Sequence, residues 1–292
     1  MSPRPLPPEL DRTARLLGTQ AMERLAAAHV VVLGVGGVGT FAAEALARAG
    51  VGRLTLVDGE RIDRTNANRQ LHALAGAEGR NKAEAMAERL RLASPQARVE
   101  AVPEFYTEEN GERIVPGTVT AVIDAMDTVV AKLHVIARCR ERGIFLVTAL
   151  GAARRLDPTA IQVTDLCESH TDQLAKDVRK YLRRRHGVSA TEPTGVVAVW
   201  SVEEPLPTLG LPGDAAGIPG VPAARARGEG PRRRPPRCQG SAVFVTGAFG
   251  LAAAAAVVTH LTGVAPRTRP ILSEAERSRR RKPVRHRAVP GR

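Results

Sequence analysis

Apolar residues in this chain fall into two alternating patterns, short unbroken runs and stripes at helical spacing. From Asp11 to Ala28 the spacing predicts one helix, with Leu16, Leu17, Met22 and Leu25 on its apolar face. His29–Leu33 is an unbroken apolar run ending in glycines, as expected of a strand buried on both faces of a parallel sheet. A helix over Val38–Ala49 closes at Gly50, and a second strand covers Arg53–Val57. Asn81–Ala93 reads as an amphipathic helix stopped by Ser94-Pro95. Further strands are expected over Val99–Phe105, Val119–Asp124 and Ile144–Ala149, with a helix over Val129–Arg142 between the last two. Strands alternating with helices imply an α/β fold: a doubly wound, Rossmann-like, mostly parallel sheet.

The second half is less regular and predicts an added C-terminal antiparallel strand and helix region. Ile161–Leu166 alternates like a strand with one solvated face, Asp172–Arg185 is a charged helix, and Gly195–Val202 is another strand. Ser241–Gly263 runs 23 residues without formal charge, His260 being taken as neutral. That is long enough to span a bilayer, but Gly247, Gly250 and several Ala and Thr make it weakly apolar for lipid. A helix packed closely on the sheet explains it as well. The expected organisation is a flexible N-terminus (1–10), one folded domain (11–204) and a disordered linker rich in Pro, Gly and Arg (205–237). A helix returning to the same domain (238–264) and a basic flexible tail (265–292) complete it.

Composition changes this picture chiefly through the location of charge. The formal net charge of the 292 residues is +13. Residues 225–237 hold six Arg against one Glu, and residues 267–292 hold ten basic residues against two Glu, so these segments account for the whole excess. The rest is balanced. Such segments either attract a polyanion such as RNA or serve as solvated tails. With 43% hydrophobic residues but only 3% aromatics, the core is mostly Ala, Val and Leu. Cys139, Cys167 and Cys238 form no C-x-x-C pair, which argues against zinc or a disulfide framework and suits a reducing compartment. The start of the chain lacks the apolar core of a signal peptide, so a cytoplasmic location is expected.

The chemistry concentrates around Gly34-Val-Gly-Gly-Val-Gly39. Between a strand and a helix, Gly34, Gly36, Gly37 and Gly39 give a tight turn and bare backbone. A phosphate can then approach the helix N-terminus. Asp58, at the end of the second strand, is placed for ribose hydroxyls. To this point a dinucleotide enzyme fits equally well. Arg69 and Lys82 add two cations to the same crevice, which suits a β,γ-phosphate pair departing as pyrophosphate. Asp127, read as closing a strand over Val122–Asp127, could hold Mg²⁺ against the phosphates. Each cation alone reads as a surface charge before it reads as a ligand; the pair in one crevice is what points to phosphates.

The glycine loop, Asp58, Asn66-x-x-Arg-Gln70, Lys82 and Asp124-x-x-Asp127 together resemble the ThiF/MoeB/HesA superfamily of ubiquitin-activating-enzyme-like adenylating enzymes. The resemblance implies ATP and Mg²⁺ as cofactors, with Arg69 and Lys82 on the phosphates, Asp58 on the ribose and Asp127 on the metal. Asn66 and Gln70 would complete the pocket. Arg12 matches the arginine that enters the partner subunit's ATP site in this superfamily, which implies a homodimer. A narrower resemblance covers most of the chain. Arg12-Thr-Ala-Arg-Leu-Leu-Gly18, Thr65-Asn-Ala-Asn-Arg-Gln-Leu-His-Ala-Leu74, the stretch Asp157–Leu166, Ser201-Val-Glu-Glu-Pro205 and the stretch Gly240–Gly250 are similar to the tRNA threonylcarbamoyladenosine dehydratases. That group activates the threonyl carboxylate of a modified adenosine beside the anticodon and closes a ring with loss of water. Its substrate would be tRNA, with a cysteine desulfurase or sulfur-acceptor system as a possible further partner.

Other residues keep two readings. Cys238 is either an acyl or sulfur acceptor or a free thiol at a loop end, and His72 either touches substrate or makes a structural hydrogen bond. The basic run Lys176–Arg185 either tracks an RNA backbone or forms a solvated face. Residues 149–155 are less Gly-rich, and 205–236 longer and more Arg-rich, than the dehydratase pattern leads one to expect. The rival functions are an adenylyltransferase for a ubiquitin-like sulfur-carrier protein, a non-catalytic tRNA- or membrane-binding module, and an NAD oxidoreductase.

Overall fold

A computed structural model describes residues 6–189, 192–207 and 240–266. Residues 208–239, which include most of the expected linker and Cys238, and the tail from 267 onward lie outside the described residues.

Seven strands form one sheet: β1 (His29–Leu33), β2 (Arg53–Val57), β3 (Arg98–Val102), β4 (Ala121–Asp124), β5 (Phe145–Ala149), β6 (Ile161–Asp165) and β7 (Val197–Ser201). Their order is β3-β2-β1-β4-β5-β7-β6, parallel throughout except for the antiparallel β6–β7 pair. This is the Rossmann-like sheet with an antiparallel addition that the alternating pattern predicts. Strand alternation divides the core between two faces. Val30, Val32, Leu54, Leu56 and Ile123 meet α3 (Gly39–Ala49), α4 (Lys82–Ala93) and α8 (Val243–Thr262). Val31, Leu33 and Val122 meet α6 (Val129–Arg142) and α7 (Gln173–His186). A short α5 (Gly111–Ile114), with no sequence signal of its own, lies between β3 and β4.

Three expectations need correction. The helix over 11–28 is two helices, α1 (Asp11–Leu17) and α2 (Thr19–Ala27), broken at Gly18 where φ is 86°. The break turns Leu16 out to solvent, whereas Met22 and Leu25 stay buried. The third strand stops at Val102, leaving Phe105 exposed and its ring against Gly59. The fourth strand stops at Asp124, as the Val119–Asp124 reading has it, so the strand read over Val122–Asp127 fails and Asp127 sits in the exposed loop beyond. At both ends of the expected domain the described residues are also held to the body. Pro8–Leu10 form a 3-10 turn with Leu10 buried, and Leu206 donates its N–H to the Arg154 carbonyl and accepts from the Arg154 guanidinium at its own carbonyl.

By length and composition α8 could cross a membrane, with a mean hydropathy of 1.8, yet it packs along α3 and the sheet. A Cβ at Gly250 would lie 2.3 Å from the Val38 carbonyl oxygen, so the two backbones approach as only glycine permits. Val245, Phe249 and Val257 are fully buried, each side chain contributing about 1.5–3 kcal/mol relative to exposure.

Candidate active site

The crevice forms where β1 and β2 end. Gly34 continues the ladder through its N–H to the Val57 carbonyl at 2.9 Å, then turns at φ 84° beneath the Ala125 carbonyl. Gly39 starts α3 directly on the Gly34 carbonyl oxygen, which a Cβ would approach to 1.8 Å. Between them Gly37 makes no hydrogen bond among the described residues. The loop is thus tight at both ends and bare in the middle, a cradle for an anion at a helix N-terminus.

Asp58 fixes the loop to the strand end: its carboxylate accepts from Val35 N at 2.7 Å and from Glu60 N at 2.8 Å. Burial raises its pKa above the ordinary carboxylate value; those two N–H donors and the Lys82 charge oppose the rise. Asn81 caps α4, accepting from Glu84 N, and donates to the carbonyls of Asp58 and Glu60. This places Lys82 at the first position of α4, where it is only 4% exposed and its Nζ pairs with Glu60 at 2.5 Å.

Arg69 and Gln70 approach from the other side. A Cβ on Gly37 would lie 3.1 Å from Arg69 Cγ and 3.2 Å from Thr246 Oγ1 of α8, and one on Gly36 would lie 3.9 Å from Gln70 Nε2. Arg69 donates to the Thr65 carbonyl and to Asn68 Oδ1, and forms no ion pair among the described residues. Gln70 Oε1 is buried and has no partner there. Asn66 has a structural duty, its Oδ1 accepting from Asp63 N at 3.0 Å in a reciprocal cap of the turn that carries Arg69. His72 is 3% exposed, and its Nε2 meets the Val35 carbonyl at 2.9 Å.

The loop Ala125–Asp127 forms the third wall. Asp124, at the end of β4, is consumed internally. It pairs with Lys132 at 2.9 Å, both side chains being 0% exposed, accepts from Thr148 Oγ1 at 2.7 Å and receives Met126 N at 3.1 Å. Lys132 was legible only as one of five lysines, because no spacing rule marks a cation eight residues beyond a strand-end Asp. Glu60 and Thr246 were also missed. Asn81, by contrast, could have been read as the cap it is.

The crevice fits a nucleoside triphosphate: a bare glycine cradle, a guanidinium across it with no carboxylate paired to it among the described residues, a buried ammonium behind and a carboxylate at the end of β2. No cluster of three metal-ligating side chains occurs among the described residues. A magnesium ion carried mainly by phosphates and water needs only one or two carboxylates, and Asp127 can supply one. Arg12 lies exposed on α1, away from any partner recorded in this chain.

A match to the ThiF family covers residues 10–287. The chain belongs to the ThiF family. Among curated ThiF relatives, the tRNA threonylcarbamoyladenosine dehydratase of Escherichia coli K12 is 42% identical over 260 residues, 87% of this chain and 94% of that protein. The enzyme of the same name from Bacillus subtilis 168 is 43% identical over 198 residues, 68% and 76% of the two chains. The crystal structure of the E. coli enzyme in complex with ATP superposes with a TM-score of 0.74 at 38% identity, covering 87% of this chain and 94% of that one.

Proposed function

We propose that this ThiF-family chain is an ATP-dependent tRNA-modifying enzyme that dehydrates threonylcarbamoyladenosine next to the anticodon. The carrying observation is Arg69 lying across Gly37, with Lys82 buried behind Asp58, in a chain that aligns over 94% of the E. coli dehydratase. A carboxylate is a poor electrophile, and adenylation gives it a leaving group. An oxygen of the threonyl carboxylate attacks the α-phosphorus of ATP, the α–β phosphoanhydride bond breaks, and pyrophosphate leaves. Arg69 and Lys82 neutralise the charge that gathers on it. The urea nitrogen of the same side chain then attacks the activated carbonyl, loses its proton, and AMP departs with the carboxylate oxygen. Attack within one side chain makes the second step effectively unimolecular. The nucleoside is lighter by one water.

In this reading Asp58 holds the ribose, Gln70 turns its buried carbonyl oxygen to the nucleotide, and Asp127 shares magnesium with the phosphates. Arg12 serves the site of a second subunit in a homodimer, and the enzyme works in the cytoplasm. The test incubates purified protein, ATP, Mg²⁺ and threonylcarbamoylated tRNA, then weighs the digested nucleosides. An ATP-dependent loss of one water supports the proposal. An unchanged nucleoside, with ATP–pyrophosphate exchange appearing only when a carrier protein with a di-glycine tail is added, replaces it with the carrier adenylyltransferase.

A further inference from the structure

A second cavity, of about 390 Å³, lies beside the nucleotide crevice and plays no part in the scheme above. Arg154, His170, Thr171, Lys176 and Arg179 line it. The Gly240–Ser241 segment touches both places: Arg154 N donates to the Gly240 carbonyl at 2.8 Å, and Asn68, beside Arg69, donates to the Ser241 carbonyl at 3.0 Å.

Several features of this cavity are unusual together. Arg154 and Thr171 are the two non-glycine residues with positive φ among those described, at 61° and 56°, and both face the same space. For the β-branched Thr171 that backbone is unfavourable, and it is held by bonds from its Oγ1 to the Ser201 carbonyl and from Arg155 to its own carbonyl. The Arg154 Nε is buried without a partner among the described residues, while its Nη1 donates to the Leu206 carbonyl. Arg155, 2% exposed, gives its hydrogen bonds to the backbone carbonyls of Gly151, Thr171 and Glu203 and forms no ion pair among the described residues. Asp172, the one carboxylate lining the cavity, is spent on Gly151 N and on capping α7 through Leu174 N. Asp172 keeps its charge, but one carboxylate stands against Arg154, Lys176 and Arg179 in the lining, so the cavity is net positive.

That charge continues outward. Lys176, Lys180, Arg183 and Arg184 form one exposed stripe along α7, away from its buried Ala175, Val178 and Leu182, with half-buried Arg179 at the edge, its guanidinium donating to the Ser169 carbonyl and Oγ. A small anion would need only the cavity, whereas a stripe running along a helix of roughly 21 Å suits a chain of phosphates.

We infer that the Arg154–Lys176–Arg179 cavity and the basic stripe of α7 bind the phosphodiester backbone of the RNA substrate beside its reacting nucleotide. The inference rests on the tRNA reading above and adds to it where the RNA lies. Arg154 and Lys176 grip a phosphate close to the Gly240–Ser241 segment, and the backbone then follows α7 away from the crevice.

Lys176 is exposed and makes no side-chain hydrogen bond or ion pair among the described residues, so its replacement leaves the fold intact. Binding of threonylcarbamoylated tRNA is titrated across a salt series for the wild type, Lys176→Ala, Lys176→Arg and the Arg154→Ala/Lys176→Ala pair. Each lost phosphate contact should make the slope of log affinity against log salt shallower by about 0.7–0.9. Lys176→Ala should therefore lower the slope by about one contact and the pair by about two, Lys176→Arg should restore it, and ATP affinity should not change. Unchanged slopes in both alanine variants overturn the inference, as does a defect in ATP or pyrophosphate binding with normal tRNA affinity. If the slopes shift as expected while wild-type protein forms no dehydrated nucleoside, the phosphate site stands and the proposed reaction falls.

Discussion

Two aspartates stand at the carboxyl ends of strands flanking β1, and they are used in opposite ways. Asp58, just past β2, is half-buried and held by two backbone N–H groups, with its nearest cation, Lys82, paired to a different carboxylate. Asp124, the last residue of β4, is sealed in the core against Lys132 and Thr148. The first stays available to a ligand at a cost, because burial disfavours its ionised form. The second is spent on geometry. Its Oδ1 pins Met126 N, and with it the turn whose Ala125 carbonyl roofs Gly34 and whose Asp127 faces outward. One strand end therefore presents chemistry and the other shapes the wall beside it.

The largest test of that contrast is Lys132→Ala, which leaves Asp124 buried without its counter-charge. We expect a loss of about 3–5 kcal/mol in unfolding free energy, read from urea denaturation, as for other broken buried pairs. Most of it should return in Lys132→Met/Asp124→Asn, because the amide keeps a hydrogen bond to Met126 N without a charge to compensate. A loss below about 1 kcal/mol in the single variant would show that water reaches the pair. On the ligand side the signature reverses. Arg69→Ala should lower the ATP-dependent dehydration rate by on the order of 10²–10³-fold, as when a positioned charge-stabilising donor is removed. Its half-exposed contacts predict an unfolding free energy within about 0.5 kcal/mol of wild type. Equal losses of rate and stability would place Arg69 with Lys132 as a structural residue.

The contrast also explains what the sequence could reveal. The sheet was legible because buried parallel strands must be apolar runs, and β1, β2 and α6 begin and end where the pattern places them. The glycine loop was legible because Gly34 and Gly39 are demanded by φ and by contact with neighbouring backbone, constraints written in single residues. Lys132 was not, because its partner is chosen by the crossing of α6 over the sheet, a tertiary fact. The break at Gly18 was missed because apolar spacing continues across it, and the strand read over Val122–Asp127 overran β4 because Ala125 and Met126 prolong an apolar run that the backbone has already left. The cavity around Arg154 was legible only in pieces, as a Gly-poor loop and the basic run Lys176–Arg185, because its positive φ values and the meeting of the two exist only in three dimensions.

Between these extremes lies Asn81, which joins the Asp58 strand end to α4. Asn81→Ala removes the cap and the amide bonds to the carbonyls of Asp58 and Glu60. It should cost about 1–2 kcal/mol by urea denaturation and weaken ATP binding, because Lys82 loses its fixed start. Full stability with weak ATP binding would mean that α4 is anchored elsewhere.

The smallest expected effect concerns pH and His72. Its Nε2 meets the Val35 carbonyl, so that nitrogen carries the hydrogen and the buried Nδ1 is left without a partner among the described residues. A second proton would enter a buried site with nothing to accept its hydrogen bond, and burial accordingly lowers the imidazole pKa below its ordinary value of 6.5, the Lys82 charge reinforcing the effect. As pH falls through that ordinary value the unfolded chain takes up a proton before the folded one, so stability declines with falling pH. Asp58 has the opposite sign. Its raised pKa lets the folded state bind the proton first, so its contribution weakens the fold as pH rises from the ordinary carboxyl value of 3.8 toward the folded one. His72→Gln retains an Nε2–H donor toward Val35 and removes the titration. The variant's urea midpoint should therefore fall less steeply on acidification below neutrality, by a fraction of the wild-type slope, since burial also lowers His29, His134 and His260. An identical slope would show that the imidazole beneath the glycine loop takes up its proton as readily folded as unfolded.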